Sequence, residues 1–525
     1  MSTPQSTIYI CSGVRLDNRY EHSIYFTSAT AQQEYFAGKV VKTFPAYSYL
    51  RKTWPIQVQA TMEEARSWSY LYFKNGTGKY YYYFITQVEY KNDNTVELSL
   101  ELDVLQTYLF DFELLNCFVE RQHTTTDLVG DNTVDEGLDL GELVTTATKH
   151  IDMGDLCILV MSTVDVGTPM VDEKPNQIYS SWYHGIFGGA GIFAVNADTA
   201  SIKALGQQLR TMDSEGIAEA VINIWMYPKK LVTLASGYDW STVVNKVQTI
   251  APFNETVSIP GTLHGGYTPK NKKLFTYPYC MLYATNNGTG GASYRFERFE
   301  SPSACMFKVT GALSPEGVVR VYPMAYNGEA GAYDHGLTLP GFPTCSWNQD
   351  SYKLWLAQNQ GQQDLSLAIS ALSIVGGVAG AVATGGAGAM LGLGSAISGA
   401  QNIASILAQR RDMSIQPPQS KGQVSTTVNT VAGFQTVSLK TKTVSKEMAQ
   451  IIDNYFTMYG YKVNRVQKPN ISARPAFTYI KTVGCNISTN ICTEDRVKIT
   501  SIFDNGITFW KNGNKIADYT QSNTP

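Results

Sequence analysis

Between Asp364 and Arg410 the chain runs for 45 residues without a charge, and an aqueous domain rarely tolerates so long an uncharged stretch. The text is LSLAISALSIVGGVAGAVATGGAGAMLGLGSAISGAQNIASILAQ. About fifteen Leu, Ile, Val and Met residues supply its apolar character, among them Leu365, Ile369, Leu372, Ile374, Val375, Val378, Val382, Met390, Leu391, Leu393, Ile397, Ile403, Ile406 and Leu407. A helix needs about 20 residues to cross a bilayer core, so Leu365–Gln409 is long enough to cross twice. Gly385 and Gly386 lie near the middle and offer a turn. Small residues at four-residue spacing (Gly376 and Gly380, Gly388 and Gly392, Ser395 and Gly399) let two helices approach closely.

Magnitudes decide what such a segment can do. Each large aliphatic residue favours membrane insertion by about 0.3–0.6 kcal/mol, whereas each glycine costs a helix roughly 1 kcal/mol. The sum is near balance, unlike a Leu-rich anchor. Three readings stay open: storage in a protein cavity followed by release into lipid, a buried Ala/Gly-rich helical hairpin between subunits, and a permanent anchor. The N-terminus, MSTPQSTIYICSG, has neither the basic start nor the apolar core of a signal peptide. That and the strand-rich text on both sides count against the anchor, and imply synthesis and folding in a cytoplasm.

The rest of the 525 residues predicts a mainly β chain with some α+β character, made of several β-rich domains. Trp68–Phe73, Tyr80–Tyr90 and Thr95–Asp103 are aromatic and β-branched runs separated by Asn75-Gly76-Thr77-Gly78 and Lys91-Asn92-Asp93-Asn94, which is hairpin chemistry. Val96 to Leu102 alternates apolar with polar residues, the pattern of a strand with one wet face. Gly191–Asn196 and Ala220–Tyr227 read as strands flanking a helix over Thr199–Met212. Ser445 is placed to cap a helix with a stripe at Met448, Ile451, Ile452, Tyr455 and Tyr459, ended by Gly460. The expected division is 1–125 β-rich, 126–260 mixed α/β, 261–360 β-rich, 361–415 the hydrophobic segment and 416–525 β-rich, with the segment helical or disordered.

No enzymatic motif emerges. The six histidines form no His-Glu-x-x-His pair, and neither a Gly-x-Ser-x-Gly elbow nor a phosphate loop occurs. No catalytic residue, cofactor or metal ligand is assigned. Asp127, Asp131, Asn132, Asp135 and Glu136 miss calcium-loop spacing and read as a solvated acidic loop. Paired carboxylates of a wall-degrading hydrolase have no signature here. Cys485 and Cys492 are placed to face each other across a hairpin, although two buried thiols fit the pattern better. Net charge is −3, and no basic run marks a sequence-reading nucleic-acid binder. Only 16% of residues are charged, against roughly 25% in ordinary soluble domains, which suits a subunit with large interfaces.

Five blocks, in order, carry a resemblance. YKNDNTVELSLELDVLQTYLFDFELLNCFVERQH (Tyr90–His123), YTPKNKKLFTYPY (Tyr267–Tyr279), GFPTCSWNQDSYKLWLAQNQ (Gly341–Gln360), NYFTMYGYKVNRVQKP (Asn454–Pro469) and FDNGITFW (Phe503–Trp510) resemble the tail-knob, or distal tail-tube, proteins of small phi29-like short-tailed bacteriophages. The resemblance implies a structural virion protein and no enzyme. Its subunits would be wall segments of a homohexameric tube at the distal end of the tail, assembled in the host cytoplasm against neighbouring tail proteins. Double-stranded phage DNA would pass through the lumen without sequence-specific contact. Leu365–Gln409 would be a loop that plugs the lumen and then penetrates the host cytoplasmic membrane. Within it Gly376, Gly380, Gly385, Gly386, Gly388, Gly392 and Gly399 would serve turning and packing. The alternative is a purely structural tube or adaptor whose apolar segment stays within protein.

Overall fold

The computed structural model describes residues 6–47, 54–76, 78–166, 182–183, 186–187, 190–214, 220–286, 290–314, 318–339, 344–345 and 437–525. The fold is mainly β, and the chain divides into two compact units. The first gathers Met1–Leu143, Gly261–Tyr279 and Val444–Pro525; the second is Val144–Pro260 with Cys280–Thr443.

In the first unit a six-stranded sheet has the order Val40–Tyr47, Ser6–Ser12, Trp68–Lys74, Tyr80–Asn92, Thr95–Leu102 and Ile56–Gln59. Every pairing is antiparallel. The three-strand meander expected from the turn clusters is its centre. Asn75 closes the first turn with its own side chain, whose oxygen accepts from the Lys79 amide at 2.8 Å. Val96, Leu98, Leu100 and Leu102 are buried while Glu97, Ser99 and Glu101 between them are half-exposed. Alternation in the text thus becomes alternation of faces.

A second sheet of this unit runs His22–Ile24, Ile507–Trp510, Phe477–Val483, Cys117–Gln122 and Tyr461–Gln467. Its first pair is parallel, with His22 beside Thr508 and Ile24 beside Trp510. Helix Lys446–Tyr459 begins where expected, the Ser445 hydroxyl accepting from the Met448 amide at 3.3 Å. Gly460 ends it at φ 63°, and a Cβ there would lie 2.4 Å from the Gln122 carbonyl, so the position demands glycine on two counts. The expected stripe needs correction: Ile451 is 62% exposed, and Ala449, Ile452, Asp453, Phe456 and Thr457 form the buried face. A carboxylate therefore lies where periodicity suggested only apolar packing.

The second unit holds a six-stranded antiparallel sheet ordered Val232–Leu234, Asn245–Ile250, Gly191–Asn196, Leu156–Ser162, Val221–Pro228 and Thr344–Cys345. Gly191–Asn196 and Val221–Pro228 lie on either side of Leu156–Ser162, both antiparallel to it, so they run parallel to each other. Helix Thr199–Ser214 lies between them in sequence, as the periodicity predicted. Ile158, Val160, Phe193 and Val195 join Ile202, Leu205 and Met212 of this helix in one core. A five-stranded sheet (Phe253–Val257, Cys305–Gly311, Val319–Tyr326 and Glu329–Gly331, with Leu337–Leu339 against the third) and a four-stranded sheet (Leu143–His150, Ser438–Val444, Cys280–Thr285 and Gly291–Tyr294) belong to the same unit, as does the small hairpin of Trp182–Tyr183 with Ile186–Phe187.

Candidate functional site

The uncharged segment, with every membrane-active and packing residue assigned to it from Leu365 to Leu407, lies outside the described residues, but the two strands nearest to it in sequence do not. Both belong to the second unit. On the N-terminal side Thr344–Cys345 adds two residues to the edge of the six-stranded sheet, pairing with Trp225 and Ile224. On the C-terminal side Ser438–Val444 is an interior strand, and all six residues of Cys280–Thr285 are in register with it. Val437 and Leu439 are buried, and the Val437 carbonyl accepts from the Ile151 amide at 2.9 Å. The residues between, 346–436, thus connect a short edge strand to a long interior one. Among the described residues no helix is long and apolar enough to cross a membrane.

Two carboxylates of the acidic loop, Asp127 and Glu136, are buried where a solvated loop was expected. Glu136 is buried between two cations of the first unit, the Arg121 guanidinium and the Lys273 ammonium, and also accepts from the Lys462 amide at 2.9 Å. Asp127 is buried too, accepting from the Tyr461 hydroxyl at 2.6 Å and the Lys272 amide at 3.1 Å. Asp453 accepts from the Tyr267 hydroxyl (2.6 Å), the Lys270 amide (2.8 Å) and the Asn271 amide (3.0 Å). Asp131 and Asp135 stay exposed. Burial of a carboxylate is tolerable when its oxygens are saturated by donors, and here protein N–H and O–H groups do that. Among the described residues no His, Cys, Asp and Glu cluster could hold a metal ion.

Burial also sets the ionisation of this region. It lowers the Lys273 ammonium against the opposing pull of Glu136. His123 is driven down to about 3, mainly by burial and then by Arg474; its Nδ1 accepts from the Tyr479 amide at 2.8 Å and its Nε2 lies 3.1 Å from the Thr457 carbonyl. The arrangement is a structural clamp: it ties Cys117–Glu136, Tyr267–Lys273 and Asp453–Arg474 together through hydrogen bonds and ion pairs. Sequence reasoning missed Arg121, His123, Lys273 and Asp453. The available signal was a charged residue within otherwise strand-like or amphipathic text, as in CFVERQH. The expected pair of buried thiols also fails, because Cys485 is half-exposed and Cys492 exposed. Cys492 precedes helix Thr493–Asn505, and its thiol donates to Asp495 at 3.2 Å.

Comparison with known proteins agrees with this architecture from end to end. Residues 4–113 match the Caudoviral major tail protein N-terminus family. Tail knob protein gp9 of Bacillus phage phi29 is 26% identical over 594 aligned positions, covering 99% of this chain and 98% of its own. Its counterpart in Bacillus phage B103 is 26% identical over 590, covering 98% of each. Among solved structures, the tail knob protein gp12 of bacteriophage C1 superposes with a TM-score of 0.66 over 98% of both chains at 15% identity, a likeness of fold. Residues 239–524, more than half of the chain, match the family of the C-terminal domain of Bacillus phage phi29 tail knob protein gp9, and with full-length relatives of the same kind the chain belongs to the phi29-type tail knob proteins, structural components of the short phage tail.

Proposed function

We propose that six copies of the chain form the distal tube of the tail, and that Leu365–Gln409 closes its lumen until infection and then enters the host cytoplasmic membrane, opening a channel for the genome. The observation that carries this reading is an uncharged, energetically balanced segment of 45 residues inserted between two strands of one compact unit. An insertion of that kind can change surroundings without unpairing the sheets, because its C-terminal side is an interior strand with six registered pairs. The relatives' identity as tail knob proteins supports a position at the tail tip. A net charge of −3 suits a lumen through which DNA slides, since attraction to phosphates would retard passage.

Two measurements test the proposal. Dye-filled vesicles of anionic bacterial lipids should leak on addition of the purified protein and stay sealed with a variant in which a short Gly/Ser linker replaces Leu365–Gln409. Equal leakage from both would exclude the membrane role, and no leakage from either would favour a purely structural tube. Sedimentation should give a particle six times the 57.8 kDa subunit mass, about 347 kDa; any other stoichiometry of the assembled form rejects the hexamer.

A further inference from the structure

Cys485 has a thiol neighbour, and it is Cys117. Strand Phe112–Leu114 pairs with Ile487–Thr489, placing Leu114 beside Ile487. Strand Cys117–Gln122 pairs with Phe477–Val483, placing Phe118 beside Val483. The short stretches between these registered pairs, 115–117 and 484–486, are therefore held alongside each other, and the Leu115 amide donates to the Asn486 carbonyl at 2.9 Å. Across this gap the two thiols are close enough for each to influence the ionisation of the other. Asp504 steadies the turn, accepting from the Cys485 amide at 2.9 Å and the Thr482 hydroxyl at 2.7 Å. The flanking pairs share one register, which sets Cys117 and Cys485 diagonally across the gap, one residue out of direct opposition, and a disulfide needs their Cα atoms within roughly 4.4–6.8 Å. Cys117 is buried and Cys485 is half-exposed, so Cys485 is the thiol open to a solvent-borne reagent.

We infer that Cys117 and Cys485 are a modification site: a dithiol that a small-molecule disulfide converts to an intramolecular disulfide bond. Cytosolic thiols are kept reduced, whereas disulfides persist on virion surfaces, so the bond closes after the particle leaves its host. The Cys485 thiolate attacks one sulfur of oxidised glutathione, and the first glutathione leaves as thiolate. The Cys117 thiolate then attacks the Cys485 sulfur of the mixed disulfide and expels the second glutathione. Each protein thiol gives up one proton, the protein loses two electrons, and one oxidised glutathione becomes two reduced ones. Burial pushes Cys485 up to about 12 and raises Cys117 as well. The thiolate is the attacking species, so closure is slow at neutral pH and quickens about tenfold per pH unit.

The test uses the full chain. Native protein is oxidised with glutathione disulfide at pH 7, 8 and 9, blocked with iodoacetamide, digested without reduction and mapped by mass spectrometry. The expected product is a linked peptide pair containing Cys117 and Cys485, lighter by two hydrogen atoms than the separate peptides, accumulating about tenfold faster per pH unit. It should form equally in the C492S variant. In C117S, Cys485 should instead hold one glutathione. Full alkylation of both cysteines after exhaustive oxidation, stable glutathione on Cys485 in the native protein, or a Cys485–Cys492 link would each overturn the inference. The native-protein map decides the matter even if a variant folds poorly.

Discussion

Replacing Asp103 with asparagine should make the first unit markedly more sensitive to acid. Asp103 is fully buried, accepts from the Tyr70 hydroxyl at 2.8 Å and caps a short helix by accepting from the Gln106 amide at 3.0 Å. Burial outweighs those bonds and raises its carboxyl from 3.8 to about 6. A carboxyl whose folded value lies above its unfolded one binds protons on folding, so its contribution to stability grows as pH falls from 6 towards 4. His123 has the opposite sign. Its folded value of about 3 lies below the ordinary 6.5, so stability is lost as pH falls below 6.5. One pH unit is worth about 1.4 kcal/mol per group, so between pH 6 and 4.5 His123 removes about 2 kcal/mol and Asp103 restores about 2 kcal/mol. The native protein is therefore buffered across this window. D103N keeps a competent cap but cannot titrate, and should lose about 2 kcal/mol more than the native protein over the same interval. The assay is urea denaturation at half-unit pH steps, read by hydrogen exchange of peptides covering 95–122. The difference between the two pH slopes cancels any constant cost of the substitution. Parallel curves would refute the assignment of a raised carboxyl at Asp103.

Two further substitutions address the clamp. Lys273→Met leaves Glu136 with a single cation in a buried position and should cost about 3–5 kcal/mol; a urea midpoint within error of the native one would mean the pair is not buried. Gly460→Ala sets a Cβ against the Gln122 carbonyl at a positive φ and should cost at least about 2 kcal/mol. Soluble expression with unchanged exchange of the Tyr461 amide would contradict the geometry.

Local features were legible and distant ones were not. The meander from Trp68 to Leu102 could be read because its pattern and its turns lie in adjacent residues. The caps of helix Lys446–Tyr459 were readable for the same reason. Asp127 and Glu136 misled because a Gly/Asp-rich stretch looks wet, while the groups that bury them, Tyr461 and Lys273, stand 334 and 137 positions away. Cys485 was weighed only against Cys492, seven positions on, whereas the pairing of distant strands brings Cys117 near it. Nothing in local composition encodes such pairings. The uncharged segment stands out by composition alone, and the order of the five blocks around it carried the family.

The parallel pair of His22–Ile24 with Ile507–Trp510 has a consequence for synthesis. A ribosome adding about 5–20 residues per second delivers Thr508 roughly half a minute to a minute and a half after His22. For that interval the early half of the first unit exists without the strands that complete its second sheet. The intervening unit, by contrast, has its last strand by Val444 and can fold while its host unit waits. On a polysome crowded with identical nascent chains, the waiting half offers Cys117–Gln122 to whichever copy of Phe477–Val483 arrives first. An exchanged arrangement between copies is therefore a hazard of translation, and slow elongation over the last hundred codons would aggravate it.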